Sequence, residues 1–301
     1  MCTHFRLIIG RVKEADIMQQ EELNKRIDQA VQGDRLALEE VLTEIQDMVF
    51  NLSLRMLGTI ADAQDAAQEI LIKVMTSIST FRKESRFQTW VYRIAVNYLM
   101  DVKRSMFAAH PLDFDFYAND LRASYVPDEE EALTGCTREE AARELKLSCT
   151  NVMLQCLKPQ DRCIYILGTM FHIDSKSAAE ILDMTPEAYR QRLSRARKRM
   201  ASFLSTYCGA VSNGFCQCDK RIPYAVMTHR LEPQNLEYSR LKTLDKRILN
   251  EFCDHMEELE EIMDSFDQLP AFRCTMDAKQ LLRELVDSEV MKKVQNAKEV
   301  A

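Results

Sequence analysis

Long stretches of this chain contain neither glycine nor proline, and this scarcity constrains its fold more than any other feature. Only 7 glycines and 7 prolines occur among 301 residues, well below the share found in average proteins. These two residues favour tight turns and interrupt helices, so a chain with few of them favours long helices over strands joined by turns. The sequence predicts an all-α fold.

Three amphipathic segments in succession predict a first compact helical domain. Apolar residues recur at helical spacing over 38–56, and Gly58 follows as the expected C-cap. A second apolar stripe covers 63–78 and a third covers 91–102. Three such stripes can bury one another, so we expect one compact domain over 20–106.

Further along the chain, a second helical unit has the pattern of a helix-turn-helix. A short amphipathic helix over 175–183 is followed by a brief turn, after which Thr185 and Pro186 occupy N-cap and first-turn positions. The next helix has one apolar face, and its other faces are basic. A short helix, a tight turn and a basic helix are typical of proteins that insert a helix into the major groove.

The charge is unevenly distributed, although its net value is only −7. Residues 81–104 carry six basic and two acidic side chains, and 185–200 carry six basic and one acidic. Between them, 105–145 carries ten acidic and three basic side chains. Two basic segments on either side of an acidic one suggest two contacts with one polyanion, such as DNA. The acidic segment is either a solvated spacer or a substitute for DNA on a basic surface.

These patterns divide the chain into five expected segments. They are an N-terminal leader (1–19), a helical domain (20–106), an acidic linker (107–148), a helix-turn-helix domain (149–204) and a Cys-containing helical extension (205–301). No apolar run is long enough to span a membrane, and the N-terminus lacks a signal-peptide core. We therefore expect a cytoplasmic protein without a membrane partner.

One face of the third helix combines an aromatic ring, an amide and two guanidinium groups. The residues that recur there every three or four positions are Trp90, Arg93, Asn97, Asp101 and Arg104. The ring would stack on a base and the arginines would neutralise phosphates, which suits single-stranded DNA. Spacing alone also fits a half-buried tryptophan beside a solvated charged face.

Several motifs in the two helical units resemble those of bacterial ECF (extracytoplasmic function) sigma factors. The motifs similar to region 2 of that family are Asp62-Ala-x-Asp65-Ala-x-Gln68-Glu69, Phe81-Arg82, and Phe87-x-Thr89-Trp90-x-Tyr92-Arg93-Ile94-Ala95-x-Asn97 with Asp101. Those similar to region 4 are Leu157-x-Pro159-x-x-Arg162, Ala178-Ala179-Glu180-Ile181-Leu182 and Arg192-Leu193-x-Arg195-Ala196-Arg197. The two blocks stand in the order that the family has. Two departures are Asp183-Met184, in a turn where the family usually has glycine, and Lys176-Ser177, where it often has an acidic residue.

This resemblance implies a transcription initiation factor that gives promoter specificity to core RNA polymerase and is not an enzyme. The residues implied for polymerase binding are Asp62, Asp65, Gln68 and Glu69. Those implied for melting the minus-ten element and holding its non-template strand are Arg82, Lys83, Arg86, Trp90, Arg93, Asn97 and Arg104. Those implied for the duplex minus-thirty-five element are Arg190, Arg192, Arg195, Arg197 and Lys198.

Two other functional classes stay open on the sequence. The chain could be a helix-turn-helix regulator that binds duplex DNA without core polymerase. It could also be an RNA-binding or structural interaction protein whose basic helices are solvent-exposed and do not recognise a promoter. An enzyme is disfavoured, because the chain contains no GxGxxG, P-loop, GxSxG or HExxH motif.

Ten cysteines in a chain without a secretory signal favour reduced thiols or metal ligands over disulfides. Cys208, Cys216 and Cys218 supply three thiolates, whereas structural zinc needs four ligands. The candidates for a fourth ligand are His229, Cys253, His255 and Cys274. Zinc binding, thiol oxidation and a plain Cys-containing turn all remain alternatives, and no cofactor is required. We expect the extension either to regulate the protein in cis or to leave that role to a separate anti-sigma factor.

Overall fold

The computed structural model describes residues 20–102, 106–123, 133–209, 214, 216–243 and 270–286. The helices of these residues are α1 (20–31), α2 (Arg35–Leu57), α3 (Ile60–Ser77), α4 (Phe87–Asp101), α5 (Met106–Ala109), α6 (Phe114–Ala123), α7 (Arg138–Gln155), α8 (Pro159–Tyr165), α9 (Ser175–Ile181), α10 (Pro186–Tyr207), α11 (Ile222–Met227) and α12 (Ala278–Val286). A π-helical turn (Ile166–Met170) follows α8, and 3₁₀ turns lie at Ile78–Thr80 and Asp219–Arg221. Within the described residues, β-structure is limited to isolated bridges. The predicted all-α class is confirmed.

The three predicted amphipathic segments form α2, α3 and α4, whose apolar faces are buried against one another. Gly58 ends α2 with φ at 87°, and its N–H donates to the Leu54 carbonyl at 2.8 Å. This left-handed C-cap is the one expected from the sequence. Thr59 then caps α3 by accepting the Asp62 N–H at 3.2 Å. A single glycine followed by a threonine therefore turns the chain from one helix directly into the next.

The acidic linker is more ordered than a solvated spacer in its described part. Tyr117 of α6 stacks on Phe203 of α10, with ring centroids 5.7 Å apart and planes 15° apart. Burial of Tyr117, Ala118 and Leu121 attaches α6 to the second helical unit. The expected boundary between residues 148 and 149 is also displaced, because α7 is continuous from Arg138. A capping box between Thr137 and Glu140 starts that helix, and its signal is present in the sequence.

The helix-turn-helix consists of α9, a short turn and α10. Thr185 caps α10 by accepting the Ala188 N–H at 3.2 Å, and Pro186 stands in the first turn, as predicted. Asp183 adopts a positive φ of 50° in the turn, a conformation that glycine adopts without a steric penalty. An aspartate tolerates it better than most residues do, because its short side chain can bond locally.

The C-terminal extension packs onto both helical units and does not form a separate lobe in its described part. Ile222 and Ala225 of α11 share a small apolar cluster with Ala141 and Leu145 of α7. Nearby, the buried Glu144 carboxylate accepts the backbone N–H groups of residues 237–239 at 2.7 to 2.9 Å. Farther along, α12 contacts α2. The acidic stretch around residues 257–261 lies outside the described residues, as does the N-terminal leader.

No helix in the described part of the chain is both long and apolar enough to cross a membrane.

Candidate nucleic-acid and polymerase interface

The loop before α4 presents basic side chains around an aromatic cluster. Arg82 and Arg86 are exposed, and the ammonium of Lys83 lies 2.5 Å from the Asp28 carboxylate. Trp90 is half-buried, with its ring stacked on Phe87 at 5.6 Å and tilted against Phe81 at 5.5 Å. The packing fixes the tryptophan ring at the edge of the basic loop while part of it stays exposed. Arg104 lies outside the described residues.

On α4 the predicted single-strand face is oriented toward the helix-turn-helix. Asn97 is exposed, whereas Arg93 donates through Nη2 to the Glu180 backbone oxygen at 3.1 Å and to its carboxylate at 3.2 Å. Tyr92 lies beside Phe171, with ring centroids 6.1 Å apart. The two helical units are thus in direct contact through a residue predicted to bind DNA.

The five basic residues predicted on α10 fall into two groups. Arg192 donates to Asp161 at 2.8 Å, and Arg197 donates to Thr169 Oγ1 at 3.0 Å and to the Gly168 carbonyl at 3.1 Å. These two arginines hold α10 against α8 and the π-helical turn. The remaining three, which are exposed, are Arg190, Arg195 and Lys198. Arg190 also donates to Ser175 of α9 at 3.2 Å and to Glu187 at 2.7 Å.

The predicted polymerase face lies on α3. Asp65, Gln68 and Glu69 are exposed, whereas Asp62 is partly buried and accepts the Thr59 hydroxyl at 2.8 Å. Partial burial, together with the charges of Glu69 and Asp65, raises the pKa of Tyr98 on α4. The tyrosine therefore lies within the field of these carboxylates, which form an acidic exposed surface.

The C-terminal segment 270–286 docks onto α2 next to this face. The Asn51 side-chain amide donates to the Phe272 carbonyl at 2.6 Å, and its oxygen accepts the Phe272 N–H at 2.8 Å. Arg55, only 2% exposed, donates to the Pro270 carbonyl at 2.6 Å and to Asn151 of α7 at 2.7 Å. Burial lowers the pKa of Arg55 to about 10, partly offset by Tyr238. One buried guanidinium thus joins α2, α7 and the extension.

The three cysteines predicted as metal ligands line a single cavity, together with a fourth that the sequence did not single out. Cys208, Cys216 and Cys218 face Cys149 of α7, and Tyr117 donates to or accepts from the Cys149 sulfur at 3.0 Å. Of the candidates for a fourth ligand, His229 and Cys274 do not line this cavity, and Cys253 and His255 lie outside the described residues. Among the residues that are described, no group of three or more His, Cys, Asp or Glu side chains is arranged to hold a metal ion. Zinc at Cys208, Cys216 and Cys218 stays a prediction.

Comparison with known proteins decides the family. Two family models match, Sigma-70 region 2 over residues 41–106 and Sigma-70, region 4 over residues 152–200. The chain is 29% identical over 180 residues to the ECF RNA polymerase sigma factor SigW of Bacillus subtilis, covering 59% of this chain and 94% of that protein. The chain belongs to the ECF sigma factors.

Other relatives of this sigma factor are similarly distant. It is 27% identical over 202 residues to the ECF RNA polymerase sigma factor SigD of Mycobacterium tuberculosis, which covers 65% of this chain and 90% of that protein. A solved structure of CnrH in complex with the cytosolic domain of CnrY covers 60% of this chain, at 19% identity and a TM-score of 0.43. As an ECF sigma factor, the protein provides promoter recognition for RNA polymerase in transcription initiation.

Several structurally important residues of the sigma factor were missed by sequence reasoning. Glu180 stands in a region 4 motif, but nothing in its spacing indicates that it contacts Arg93. Arg162, named only as part of that motif, donates to carbonyls of α2 and α7, including that of Met56 at 2.5 Å and that of Leu154 at 3.0 Å. Cys149 lies on a helix far from the other three thiols in sequence, so only the fold could bring it to them.

Proposed function

We propose that this sigma factor contacts the two promoter elements through two separate surfaces. The region 2 surface comprises the loop over 82–86 with Trp90, Arg93 and Asn97, and it accepts the unpaired non-template strand of the minus-ten element. The region 4 surface comprises Arg190, Arg195 and Lys198 of α10, which enter the major groove of the minus-thirty-five element. The observation that best supports the proposal is the geometry of α9, its turn and α10, because a capped basic helix exposed at its first turns fits a major groove.

The two surfaces call for different chemistry. A melted strand offers unstacked bases, and the exposed edge of Trp90 next to cationic side chains suits stacking and phosphate contact. A duplex offers base edges in its groove, which arginine and lysine reach with hydrogen bonds. Arg192 and Arg197, engaged inside region 4, are assigned to support of the recognition helix and not to base contacts.

For core polymerase we propose the exposed acidic surface of α3, with Asp65, Gln68 and Glu69 as its contact residues. Asp62 stabilises the start of that helix through Thr59, since an acidic side chain in the first turn complements the helix dipole. The protein thereby acts as a specificity subunit and carries out no chemical step itself.

The test is run-off transcription of bacterial genomic DNA by core polymerase, with and without the full-length protein, followed by sequencing of transcript starts. We expect new starts that share one upstream motif. Asp65→Ala should lose these starts together with core binding, whereas Arg195→Ala should lose them with core binding intact. Lys220→Ala, an exposed basic residue of the extension, is the control and should change neither.

Two results would contradict the proposal. Absence of new starts together with absence of core binding would exclude a sigma role for these surfaces. Tight, sequence-specific duplex binding by the free protein, independent of polymerase, would favour a conventional helix-turn-helix regulator. That alternative is not favoured, because the chain also carries the region 2 match over residues 41–106.

A second role concerns the segment 270–286, which we propose restrains region 2 in cis. Its backbone is held by Asn51, its Lys279 lies 2.5 Å from Glu39 of α2, and Thr275 accepts from Gln64 of α3 at 2.5 Å. Gln64 is one helical turn from Gln68, so the docked segment lies beside the proposed polymerase surface. In that position it would hinder polymerase binding, as a separate anti-sigma factor otherwise would.

Phe272→Ala in the full-length chain tests this role. Phe272 is fully buried against Tyr238, with ring centroids 6.2 Å apart, and loss of a buried phenylalanine costs about 3–5 kcal/mol. We expect the segment to leave α2 and transcription to rise several-fold. Phe116→Ala is the control, since Phe116 is 57% exposed on α6. Unchanged transcription, with hydrogen exchange showing that the segment has undocked, would contradict restraint in cis and leave that role to a separate protein.

A further inference from the structure

Backbone geometry holds two of the four clustered thiols side by side. Cys208 and Cys216 are partners in a parallel β-bridge, in which the Gly209 N–H donates to the Cys216 carbonyl at 2.9 Å and the Cys216 N–H donates to the Tyr207 carbonyl at 3.1 Å. Paired backbones of this kind lie about 5 Å apart. A disulfide requires Cα atoms roughly 4.4–6.8 Å apart. The bridge therefore places the two cysteines at a separation that a disulfide can span.

Close backbone contacts fix the register of this bridge. A Cβ atom added to Gly209 would lie 2.8 Å from the Cys216 carbonyl oxygen, and one added to Gly214 would lie 2.5 Å from the Tyr207 carbonyl carbon. Any other residue at either position would push the two backbones apart. The glycines thus allow the approach on which the pairing of Cys208 with Cys216 depends.

Both cysteines line one small, largely apolar cavity. Cys208 and Cys216 line it together with Cys149 and Cys218, and all four are partly accessible, whereas Cys163 elsewhere in region 4 is fully buried. Arg221 hydrogen-bonds the Cys216 side chain. Small reagents can therefore reach this thiol next to a cation.

The pairing also favours an intramolecular product. A neighbouring thiol can capture an oxidised partner without diffusion, and the bridge holds Cys208 directly opposite Cys216.

We propose that Cys208 and Cys216 are an oxidation site, which a hydroperoxide converts to an intramolecular disulfide. The Cys216 thiolate attacks the peroxide, the O–O bond breaks, and a sulfenic acid and hydroxide form. Cys208 then attacks the sulfenic sulfur, the S–O bond breaks and water leaves. In sum, two thiols lose two electrons and two protons, and hydrogen peroxide is reduced to two water molecules.

The site lies at the junction between the recognition helix and the extension, because α10 ends at Tyr207. The disulfide would fix the chain where it leaves region 4. The inference goes beyond the proposed promoter and polymerase contacts and does not depend on them.

Oxidation of the full-length protein by hydrogen peroxide tests the site without polymerase or DNA. The reduced protein is treated at neutral and at alkaline pH, its free thiols are alkylated, and its peptides are mapped by mass spectrometry. We expect a Cys208–Cys216 link and the loss of two of the ten free thiols. Cys208→Ser and Cys216→Ser should each abolish the link. Cys136→Ser, a partly exposed thiol outside the cavity, should leave it intact.

Three outcomes would overturn the inference. The first is the absence of any link at a peroxide dose that oxidises other thiols of the same chain. The second is a link that consistently joins Cys149 or Cys218 in place of the expected pair. The third is about one tightly bound zinc per chain that protects the four cavity thiols from both peroxide and alkylation, which would make the cavity a metal site. Circular dichroism of both serine variants excludes misfolding as the cause of a lost link.

Discussion

The guanidinium of Arg93 in region 2 lies 3.2 Å from the carboxylate of Glu180 in the helix-turn-helix of region 4. The same guanidinium also donates to the Glu180 backbone oxygen. A side chain proposed to bind the melted strand is therefore occupied within the molecule. Arg93 must release Glu180 before it can meet DNA, and we call the paired arrangement closed and the unpaired one open.

Glu180→Gln should shift the protein toward the open state. Both side chains are nearly half exposed, so the ion pair is worth less than about 1 kcal/mol. Its removal should raise the affinity of the free protein for a minus-ten single strand by at most about five-fold. Fluorescence anisotropy measures this effect, which should diminish at high salt. Glu187→Gln, which removes an ion pair internal to α10, is the matched control, and an equal gain in that variant would contradict the prediction.

Asn51→Ala should destabilise the protein by about 2–4 kcal/mol. The substitution removes three hydrogen bonds, one to the Asp47 carbonyl and two to Phe272, and leaves the buried N–H and carbonyl of Phe272 without these partners. Urea unfolding measures the change in the free energy of unfolding. Asn97→Ala removes an exposed amide and should stay within about 0.5 kcal/mol of the parent protein. Equal stability of the two variants would show that the segment 270–286 does not dock on α2 in solution.

Arg195→Ala and Arg197→Ala should separate DNA contact from support of the recognition helix. Arg195 is exposed, so its loss should weaken promoter binding and lower its salt dependence without changing stability. Arg197 bonds Thr169 and Gly168, so its loss should cost about 1–3 kcal/mol of stability. Thermal unfolding and filter binding of both variants distinguish these effects. A reversed pattern would reassign Arg197 to DNA.

The sequence predicted the helices well where local signals set their boundaries. Gly58 ends α2 and Thr185 begins α10 through caps that depend only on neighbouring residues. The basic character of α10 was also visible, since charge is a property of composition. The long-range partners of these basic residues were not visible in the sequence. Arg192 and Arg197 were assigned to DNA, although Arg192 donates to Asp161 and Arg197 donates to Thr169 and Gly168.

Two other long-range relationships were hidden from the sequence for the same physical reason. The linker was interpreted as a solvated spacer or a substitute for DNA, yet Tyr117 of α6 stacks on Phe203 of α10, a contact across distant residues that helical periodicity cannot reveal. Cys149 was not singled out, because its relation to the C-terminal cysteines arises only when the extension folds back onto α7. Interactions between neighbouring residues determined where the helices begin and end. Tertiary packing determined which of their polar side chains remain available to contact DNA or polymerase.

Acidification should loosen the contact between α6 and the extension. The Asp120 carboxylate, with its side chain 8% exposed, accepts from Arg221 and Arg230 at 2.5 Å and from Tyr224 at 2.9 Å. Burial alone would raise the pKa of Asp120, but the hydrogen bonds and charges of these partners outweigh it and lower the pKa below its usual value. A lowered folded-state pKa gives stability that is full above about pH 4 and is lost as the pH falls through the folded-state value.

Asp120→Asn tests this contribution. At pH 7 the variant should be less stable by about 2–4 kcal/mol, because two arginines lose their charged partner. The difference from the parent protein should shrink as the pH is lowered below about 4, where the parent carboxylate also becomes neutral. Urea unfolding across this range measures it, with the exposed Asp65→Asn as the control. A difference that stays constant down to pH 2 would contradict the assigned role of the charge.

Asp183 offers a final test, because it occupies the position in the helix-turn-helix where the sequence departs from its family. Its φ of 50° disfavours β-branched side chains, so Asp183→Val should destabilise region 4 by about 1–2 kcal/mol. Asp183→Gly should not destabilise it, since relief of the left-handed strain offsets the greater freedom of glycine in the unfolded chain. Thermal unfolding measures both variants. Promoter binding by Asp183→Gly should match that of the parent protein, because the turn orients α10 in the same way with either residue, and a loss of binding would show that the aspartate side chain itself takes part in recognition.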